Sequence, residues 1–317
     1  MNELLTIAVV AGGLTHERDV SLSSGRRVEK TLREAGHHVK LLDVDGNLFQ
    51  RLESMNPHIV WPLVHGATGE DGSIQDLLSL AGYTFLGSSA NAARIASNKA
   101  LSQSLLRHQN ILTPLSFTFP QNLFREVGPR YMLDLIADKL RFPLVVKPHI
   151  GGSALGLSVV KTASELPKAM VDCFAYGELA HIESYIEGRE VTVTILDMKE
   201  GPVALRPIEI QTDGPYDYDA RYFAGRAMYF NPAQISPDLE QKIIDTALTA
   251  HKTLRLQGIS RIDFIISGDQ PYVIDTNVAP GMTETSLAPQ AIEYYSQTSG
   301  QSIQNIYTEL LLTALNQ

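Results

Sequence analysis

Cysteine is almost absent from this sequence, since Cys173 is the single cysteine among 317 residues. One thiol cannot form an internal disulfide, and nothing around it suggests a metal–thiolate site. Long apolar runs are missing too, because none reaches the roughly 20 residues of a membrane-spanning helix. The short run LLTIAVV has no basic segment before it and no small-residue cleavage pattern after it, so no signal peptide is indicated. These absences favour a reducing, cytoplasmic setting and argue against a membrane protein.

Positive charge is also in short supply. The chain has 26 Lys and Arg against 35 Asp and Glu, a formal net charge of −9. This balance argues against nucleic acid or an anionic membrane as the main partner, although a local basic pocket could still bind a small anion. Repeats and low-complexity tracts are absent as well, which disfavours a structural or fibrous protein. The length allows two or three domains with a substantial core.

Strand and helix patterns alternate in the first part of the chain. The predicted strands are 6–12, 37–44, 58–66 and 83–88, and the predicted helices are 21–36, 49–56 and 75–82. This alternation predicts parallel βαβ units, in which ligands bind at the carboxyl ends of the strands. The segments AGGLTHERD and HGATGEDG fall at such ends.

The remainder of the chain has a different organisation. One continuous helix is predicted at 90–109, and after it strand pairs and helices are segregated, which is typical of α+β structure. We therefore expect a parallel α/β domain at 1–92, an α+β domain at 93–182 and a second α+β domain at 183–317.

The segment RIDFIISGDQPYVIDTN reads as a β-hairpin whose apolar strands carry polar residues. Alternate side chains of a strand share a face, so a turn centred near Asp269 sets Asp263 opposite Asp275 and Arg261 opposite Asn277. Facing carboxylates repel, which predicts a cation between them; oxygen ligands without Cys or His favour Mg²⁺ or Mn²⁺ held with substrate phosphates. Arg261 would then remain free for an anionic substrate or an oxyanion. The alternative is the polar, solvent-facing side of an edge hairpin.

A glycine-rich turn follows an apolar strand in VVKPHIGGSALG. Lys147 lies inside the strand, and Gly151, Gly152 and Ser153 lie in the turn, where backbone N–H groups and a hydroxyl could meet phosphate oxygens. The alternative is an ordinary hairpin turn with a surface lysine. The spacing does not match GxxxxGK[ST], which excludes a P-loop NTPase, and GxGxxG is not present in the segment.

Three further features are ambiguous when each is taken alone. Glu17 could begin a helix, where an acidic residue is ordinary. His65 closes an apolar strand and is as often structural as catalytic. The tyrosine-rich segment GPYDYDARY, residues 214–222, reads equally well as a packed loop.

The order of the motifs carries more information than any one of them. The chain resembles the D-alanine–D-alanine ligases of the ATP-grasp superfamily over essentially its whole length. The segments that carry the resemblance are AGGLTHERDVSLSSG, HGATGEDGSIQ, SNK, VVKPHIGGSALG, ESYIEGREVTV, YDYDARY, RIDF and DTNVAPGMTETS. The resemblance implies an ATP-grasp fold preceded by a parallel α/β domain, with ATP between two α+β units, and a cytoplasmic homodimer that acts in peptidoglycan precursor synthesis.

The resemblance also assigns roles to individual residues. It implies ATP binding by Lys99, Lys147, Glu183, Tyr185, Ile186, Glu190 and Arg221, and two Mg²⁺ or Mn²⁺ ions held by Asp263, Asp275 and Asn277. For the amino acids it implies Glu17, Ser153 and Tyr222 around the first D-alanine, His65 and Val20 nearby, Arg261 and the N–H of Gly281 at the oxyanion, and Ser286 with Leu287 at the second carboxylate. Residues 214–222 would form a closing lid.

The implied reaction has two steps. The carboxylate of the first D-alanine attacks the γ-phosphoryl group of ATP to give an acyl phosphate, and the amine of the second D-alanine then displaces phosphate. Phosphoryl transfer depends mainly on positioning and charge neutralisation, which suits these residue types. Acyl phosphates hydrolyse, so the site must exclude water.

Several positions depart from the usual family pattern. Asp275 stands where Glu is common, Arg221 where Lys is common, and Ala154 where Ser is common, and His149 and Ile150 replace polar residues. None of these removes the implied mechanism. Two alternatives stay open: an ATP-grasp ligase that joins other amino acids, and a nucleotide-binding regulatory protein without catalysis.

Overall fold

The computed structural model describes residues 4–214, 216, 220, 221 and 225–316. Within these residues the strands form one parallel sheet and two antiparallel sheets. The mixed α/β and α+β architecture predicted from the sequence is confirmed. Tyr222 and much of the expected lid at 214–222 lie outside the described residues.

The N-terminal sheet is parallel, with strand order β2-β1-β3. Its strands are β1 (Thr6–Ala11), β2 (His38–Asp43) and β3 (Ile59–Pro62), and its helices are α1 (Arg18–Glu34), α2 (Leu48–Met55), α3 (Ala67–Glu70) and α4 (Ser73–Leu80). The buried run TIAVVA supplies the central strand, as expected for a parallel sheet covered on both faces. The strand expected at 83–88 is reduced to a single bridge between Phe85 and Val60.

The first half of helix α1 lies very close to this sheet because its buried residues there are small, namely Ser21, Ser24 and Gly25. A Cβ added to Gly25 would come within 2.6 Å of Leu41 and 2.9 Å of Ala11. The Ser21 hydroxyl accepts the N–H of Gly12 at 2.7 Å and donates to the carbonyl of Leu63 at 2.6 Å. The helix is thereby tied to two strand ends at the edge where the candidate site lies.

The single helix expected at 90–109 is two helices, α5 (Ala90–Ser97) and α6 (Lys99–His108). Asn98 separates them with an extended backbone, and its side chain accepts the N–H of Leu101 at 2.9 Å. Asparagine is a strong N-cap because its side-chain oxygen satisfies an orphan helix donor. The break places Lys99 at the first position of α6, where its side chain is buried.

The central sheet is antiparallel, with strand order β4-β7-β5-β6. Its strands are β4 (Ser116–Pro120), β5 (Leu144–Pro148), β6 (Ser158–Val160) and β7 (Leu179–Ser184), and its helices are α7 (Gln121–Val127), α8 (Pro129–Leu140) and α9 (Leu166–Phe174). The expected boundary between 182 and 183 falls inside β7, which pairs along its whole length with β4 and β5. The division into three domains stays a prediction.

The third sheet runs in the order β11-β10-β8-β12-β13, and β9 pairs with β8 outside this path. Its strands are β8 (Arg189–Met198), β9 (Gly201–Ala204), β10 (Ile208–Thr212), β11 (Ala227–Phe230), β12 (Ile259–Ser267) and β13 (Gln270–Asn277), and its helices are α10 (Pro237–Thr253), α11 (Leu287–Ser299) and α12 (Ile303–Leu315). Ile262, Phe264 and Ile266 pack in one core with α10. The alternate residues of β12 face the other side of the sheet, and Ile265 among them lines a cleft together with Val145 of the central sheet.

A second core joins the N-terminal sheet to the C-terminal helices. Ile7, Val9 and Trp61 share it with Ile292 and Tyr307. This packing fixes the N-terminal sheet against the third sheet and brings their functional edges together. In the part of the chain that the structure describes, every helix is too short or too polar to cross a lipid bilayer.

Candidate active site

The register predicted for the C-terminal hairpin is confirmed. Arg261 lies opposite Asn277, and Asp263 lies opposite Asp275. The turn pairs Ser267 with Gln270, which alone would shift this register by one residue. A bulge at Ile274, which has no partner in the ladder, restores it.

Arg261 and Asp263 form a buried bidentate ion pair. The Nε and NH2 groups of Arg261 donate to the two carboxylate oxygens of Asp263, each at 2.8 Å. Thr192 and Asn277 donate to the same carboxylate at 2.7 and 3.1 Å. Burial alone would raise the pKa of Asp263, but Arg261 outweighs it and holds the pKa below its usual range. The expectation that Arg261 remains free is wrong for this structure, because the arginine itself neutralises Asp263.

Asp275 interacts with a different cation. One of its oxygens lies 3.5 Å from the ammonium of Lys99, which also donates to the carbonyl of Gly151 at 3.1 Å. Lys99 thus links the hairpin to the glycine-rich turn. The start of α6 holds this lysine in place, which is the structural consequence of the break at Asn98.

The donor set of the hairpin fits a divalent cation that is shared with substrate phosphates. Over the described ranges, no three His, Cys, Asp or Glu side chains gather as a metal-binding group. Mg²⁺ usually takes one or two carboxylates and completes its shell with phosphate oxygens and water. The facing carboxylates of Asp263 and Asp275, with the amide of Asn277, supply this kind of partial shell.

Lys147 lies at the centre of a buried polar network. Its ammonium donates to Glu183 at 2.7 Å and to the carbonyl of the bulged Ile274 at 3.2 Å. Gln103 donates to the other oxygen of Glu183 at 3.1 Å, and His181 lies 3.3 Å from it. Burial would raise the pKa of Glu183, but the charges of Lys147 and His181 outweigh it and lower the pKa to about 2. The bulge therefore links the hairpin to the strand that carries Lys147.

A cleft of about 790 Å³ opens between the central sheet and the third sheet. Its aliphatic walls come from Val145 and Val159 on one side and from Ile265 and Ile274 on the other. Six of the seven residues expected to bind ATP line it, namely Lys147, Glu183, Tyr185, Ile186, Glu190 and Arg221. The seventh, Lys99, contacts the glycine-rich turn at Gly151. A cleft with aliphatic walls that also contains Lys147 and Arg221 suits a nucleotide.

Glu190 lies on the third-sheet side of this cleft. Burial raises its pKa to about 7, although the charge of Arg221 opposes that rise. A carboxyl group with this pKa is partly protonated near neutral pH, so it can both donate and accept hydrogen bonds. Such a group is suited to the hydroxyls of a ribose, which agrees with the ATP-binding role that the resemblance implies.

Glu17 meets the glycine-rich turn from the N-terminal sheet. Ser153 donates a hydrogen bond to its carboxylate across 136 positions of sequence. Burial raises the pKa of Glu17, and the Ser153 hydrogen bond acts against that rise. Val20 lies half-buried in the first turn of α1, close to Glu17 in sequence. The structure thus brings together two of the residues expected around the first amino acid.

Glu70 is a candidate site residue that the sequence alone does not assign, although its segment HGATGEDG falls at a predicted strand end. One Glu70 oxygen accepts the N–H of Gly66 at 3.2 Å. A Cβ added to Gly152 would lie 3.4 Å from Glu17 and 3.8 Å from Glu70, so the two carboxyl groups flank the same glycine. Burial and the charge of Glu17 raise the pKa of Glu70 to about 8. The sequence did contain a signal for Glu70. Like Glu17, it is an acidic residue that follows a predicted strand of the parallel sheet, where ligands bind.

Replacing Glu70 by Gln should make the protein more stable than the wild type at pH 8.5 but not at pH 5. The native state holds a proton on Glu70 that the unfolded chain releases above its ordinary pKa of 4.5, so wild-type stability falls as pH rises from 4.5 to about 8. Glutamine keeps an oxygen that can accept the N–H of Gly66, and it does not titrate, so the variant should not lose stability in this way as pH rises. Thermal melts across this range measure the difference, and exposed Glu53→Gln is the matched control. A pH-independent effect of Glu70→Gln would contradict the assignment.

His65 connects loops around the site. Its Nε2 lies 3.0 Å from the Ser24 hydroxyl, which in turn accepts the N–H of Met282 at 3.0 Å. Thr15 donates to the His65 carbonyl at 2.9 Å. Burial lowers the pKa of His65 to about 4, so the ring is neutral at physiological pH. These contacts support a positioning role, and direct contact with substrate stays a prediction.

The segment after the hairpin brings Gly281 against Ser286. A Cβ on Gly281 would lie only 2.8 Å from the Ser286 hydroxyl, so a larger residue would disturb it. That hydroxyl also accepts the N–H of Thr283 at 3.1 Å, and Ser286 is the N-cap residue of α11, which begins at Leu287. A helix N-terminus favours an anion through its exposed N–H groups. This geometry is suited to the carboxylate expected at Ser286 and Leu287.

Comparisons with known proteins agree with this architecture. The statistical model of the family described as D-ala D-ala ligase C-terminus matches residues 121–311. A D-alanine–D-alanine ligase of Carboxydothermus hydrogenoformans is 34% identical over an alignment 317 positions long, which covers 98% of each chain. A crystal structure of the D-alanine–D-alanine ligase from Bacillus anthracis has a TM-score of 0.83 at 27% identity, with 98% of each chain covered. A crystal structure of that enzyme complexed with ATP has a TM-score of 0.80 at 25% identity, again over 98% of each chain.

The family match and the near full-length identity agree with the order of the motifs along the chain and with the cleft between the two antiparallel sheets. Together they show that the chain belongs to the D-alanine–D-alanine ligase family.

Proposed function

We propose that this protein joins two D-alanine molecules to D-alanyl-D-alanine and converts ATP to ADP and phosphate. A carboxylate oxygen of the first D-alanine would bond to the γ-phosphorus as the bond to ADP breaks. The amine nitrogen of the second would then bond to the acyl carbon as the bond to phosphate breaks. The membership of the family supports this reaction, and one solved relative is described as complexed with ATP.

Glu17 and Glu70 favour an amino acid with a free ammonium group. Burial raises the pKa of both carboxyl groups, and the charge of Glu17 raises the pKa of Glu70 further because the two repel when charged. A cation beside Glu17 would relieve this repulsion, whereas an uncharged group would not. An α-ammonium group is a cation of suitable size, with three donors for the surrounding carboxylates.

The nucleotide end of the site supplies positive charge for phosphoryl transfer. Lys99 and Lys147 would neutralise the phosphates, and Arg221 lines the same cleft. Asp263, Asp275 and Asn277 would hold two Mg²⁺ or Mn²⁺ ions, which would help to neutralise the phosphate charge. Lys99 contacts both the hairpin and the glycine-rich turn, so it would orient the terminal phosphates toward Glu17.

Arg261 and the N–H of Gly281 would stabilise the oxyanion of the second step. The pair with Asp263 fixes the guanidinium plane, so the arginine would not need to reorganise as charge develops. Ser286 and the start of α11 would receive the carboxylate of the second D-alanine.

The observation that carries the proposal is the hydrogen bond from Ser153 to Glu17. It places the carboxylate expected at the first amino acid directly against the glycine-rich turn expected at the phosphates. Mere nucleotide binding would not require this contact between two sheets.

Phosphate release with ATP, Mg²⁺ and single D- or L-amino acids tests the proposal. We expect turnover that requires D-alanine, a product with the mass of the dipeptide, and loss of turnover after chelation of the metal. Turnover with other amino acids alone would favour a different ATP-grasp ligase. Nucleotide binding without any turnover would favour a regulatory protein.

We also propose a homodimer and a cytoplasmic location, as the family resemblance implies. The mass of the particle in solution, measured by light scattering, tests the first against the 34.8 kDa of one chain. Cell fractionation of a tagged protein tests the second.

A further inference from the structure

Arg221 stands where the family commonly has lysine, and its guanidinium lies over an aromatic ring. Its Cζ atom is 4.5 Å from the centre of the Tyr216 ring. Its Nε donates to the backbone carbonyl of Tyr216 at 3.2 Å. The cation–π contact and the hydrogen bond together hold the guanidinium over the Tyr216 ring.

Tyr216 is held in place by Tyr229 and by the hydrophobic core. Its hydroxyl lies 3.1 Å from that of Tyr229 on β11, and the two rings meet edge to face at 81° with 6.4 Å between their centres. Both rings pack against the core that joins the N-terminal sheet to the C-terminal helices. Burial raises the pKa of Tyr216, so its hydroxyl stays protonated and can donate. The Tyr216 ring is therefore fixed in position and serves as a platform for the Arg221 guanidinium.

This platform lies at the active site. Tyr216 and Arg221 line the same cleft as Lys147 and Glu190. The charge of Arg221 acts on Glu190 at the nucleotide end and on Glu17 at the amino-acid end, where it opposes the rise in pKa that burial causes. Arg221 therefore lines the cleft within electrostatic range of both carboxyl groups, as expected for a cation that meets the terminal phosphates of the proposed ATP.

We propose that Tyr216 is a positioning residue that holds the Arg221 guanidinium toward the terminal phosphates of the nucleotide. The phosphate as the ligand rests on the proposed function. A lysine could not use the platform in the same way, because its ammonium has no planar face to stack and no Nε–H for the backbone carbonyl. In this chain, Arg221→Lys is therefore not a conservative change.

A double-mutant cycle tests the proposal. The affinity of a non-hydrolysable ATP analogue with Mg²⁺ is measured by calorimetry for the wild type, Tyr216→Leu, Arg221→Lys and the double variant. We expect each single change to weaken binding about tenfold, the size of a half-desolvated cation–π contact. The double variant should bind the ATP analogue no more than about twofold more weakly than either single variant, because the two single changes remove the same interaction. Additive losses in the double variant would overturn the proposal.

Controls separate positioning from general structure. Tyr216→Phe keeps the ring and should restore affinity to within about threefold of the wild type. The chain also has a matched arginine–tyrosine pair away from the cleft, in which Arg206 lies 5.9 Å from the centre of the Tyr294 ring. Tyr294→Leu should leave nucleotide affinity unchanged. Equal losses in Tyr294→Leu and Tyr216→Leu would also overturn the proposal.

The cycle is independent of the amino-acid substrate. Coupling in nucleotide affinity without D-alanine turnover in the wild type would support the role of Tyr216 and overturn the proposed function. Turnover with D-alanine but no coupling between the two changes would support the proposed function and overturn the role of Tyr216.

Discussion

Replacing Arg261 by alanine should abolish ligation and destabilise the protein at the same time. Loss of one oxyanion donor costs about 10²–10³-fold in turnover. The same change leaves Asp263 buried without its cation, and breaking a buried ion pair from one side costs about 3–5 kcal/mol. Phosphate release and denaturant unfolding measure the two effects separately. Wild-type stability of this variant would contradict the buried pair seen between the two side chains.

The pH dependence of this variant follows from the Asp263 pKa. In the wild type that pKa is lowered, so the pair contributes stability above the unfolded value of 3.8 and loses it as pH falls. Without Arg261, burial would instead raise the pKa, so the deficit should grow as pH rises from about 3 toward neutrality. Arg261→Lys is the matched control, since it keeps the charge and loses the bidentate geometry. We expect Arg261→Lys to regain a larger share of the lost stability than of the lost ligation activity.

Replacing Lys147 by methionine should remove nucleotide binding and also destabilise the fold. Glu183 would be left buried with its main counter-charge gone, again at a cost of about 3–5 kcal/mol. The low pKa of Glu183 contributes stability that is complete above its ordinary value of 4.5 and is lost as pH falls toward 2. The deficit of Lys147→Met should therefore be larger at pH 7 than at pH 3, as unfolding curves at the two values would measure.

A second variant separates the two roles of Lys147. In Lys147→Met with Glu183→Gln, both charges are gone and glutamine keeps the hydrogen bonding to Gln103 possible. We expect this double variant to recover most of the lost stability, because a neutral pair leaves no uncompensated charge. Affinity for the ATP analogue should remain low. Recovery of nucleotide affinity as well would mean that Lys147 does not contact the nucleotide.

Local periodicity explains which parts of the fold were predictable. The register of Arg261 with Asn277 and of Asp263 with Asp275 follows from side-chain alternation, and the bulge at Ile274 preserved it. The break at Asn98 was missed because the helical pattern continues through it, and only the capping geometry ends the first helix. Patterns that repeat over a few residues are thus readable, whereas a single-residue interruption is easily overlooked.

The candidate site was predicted as a set of residues but not as a set of contacts. The sequence indicated Arg261, Glu17 and Lys147, and the structure determines that Arg261 pairs with Asp263 and that Ser153 reaches Glu17. Glu70 became recognisable only once Gly152 placed it beside Glu17. No spacing in the chain encodes these distances.

The amino-acid sequence by itself determined the parallel N-terminal sheet, the faces of the C-terminal hairpin and the family of the chain. These depend on the period of apolar residues and on the order of motifs, both of which can be read along the chain without knowledge of how it packs. Only the tertiary structure decided which charges neutralise each other and which pKa values move. Those depend on burial and on distances of a few ångströms between residues that are far apart in sequence, and the packing of three sheets sets both.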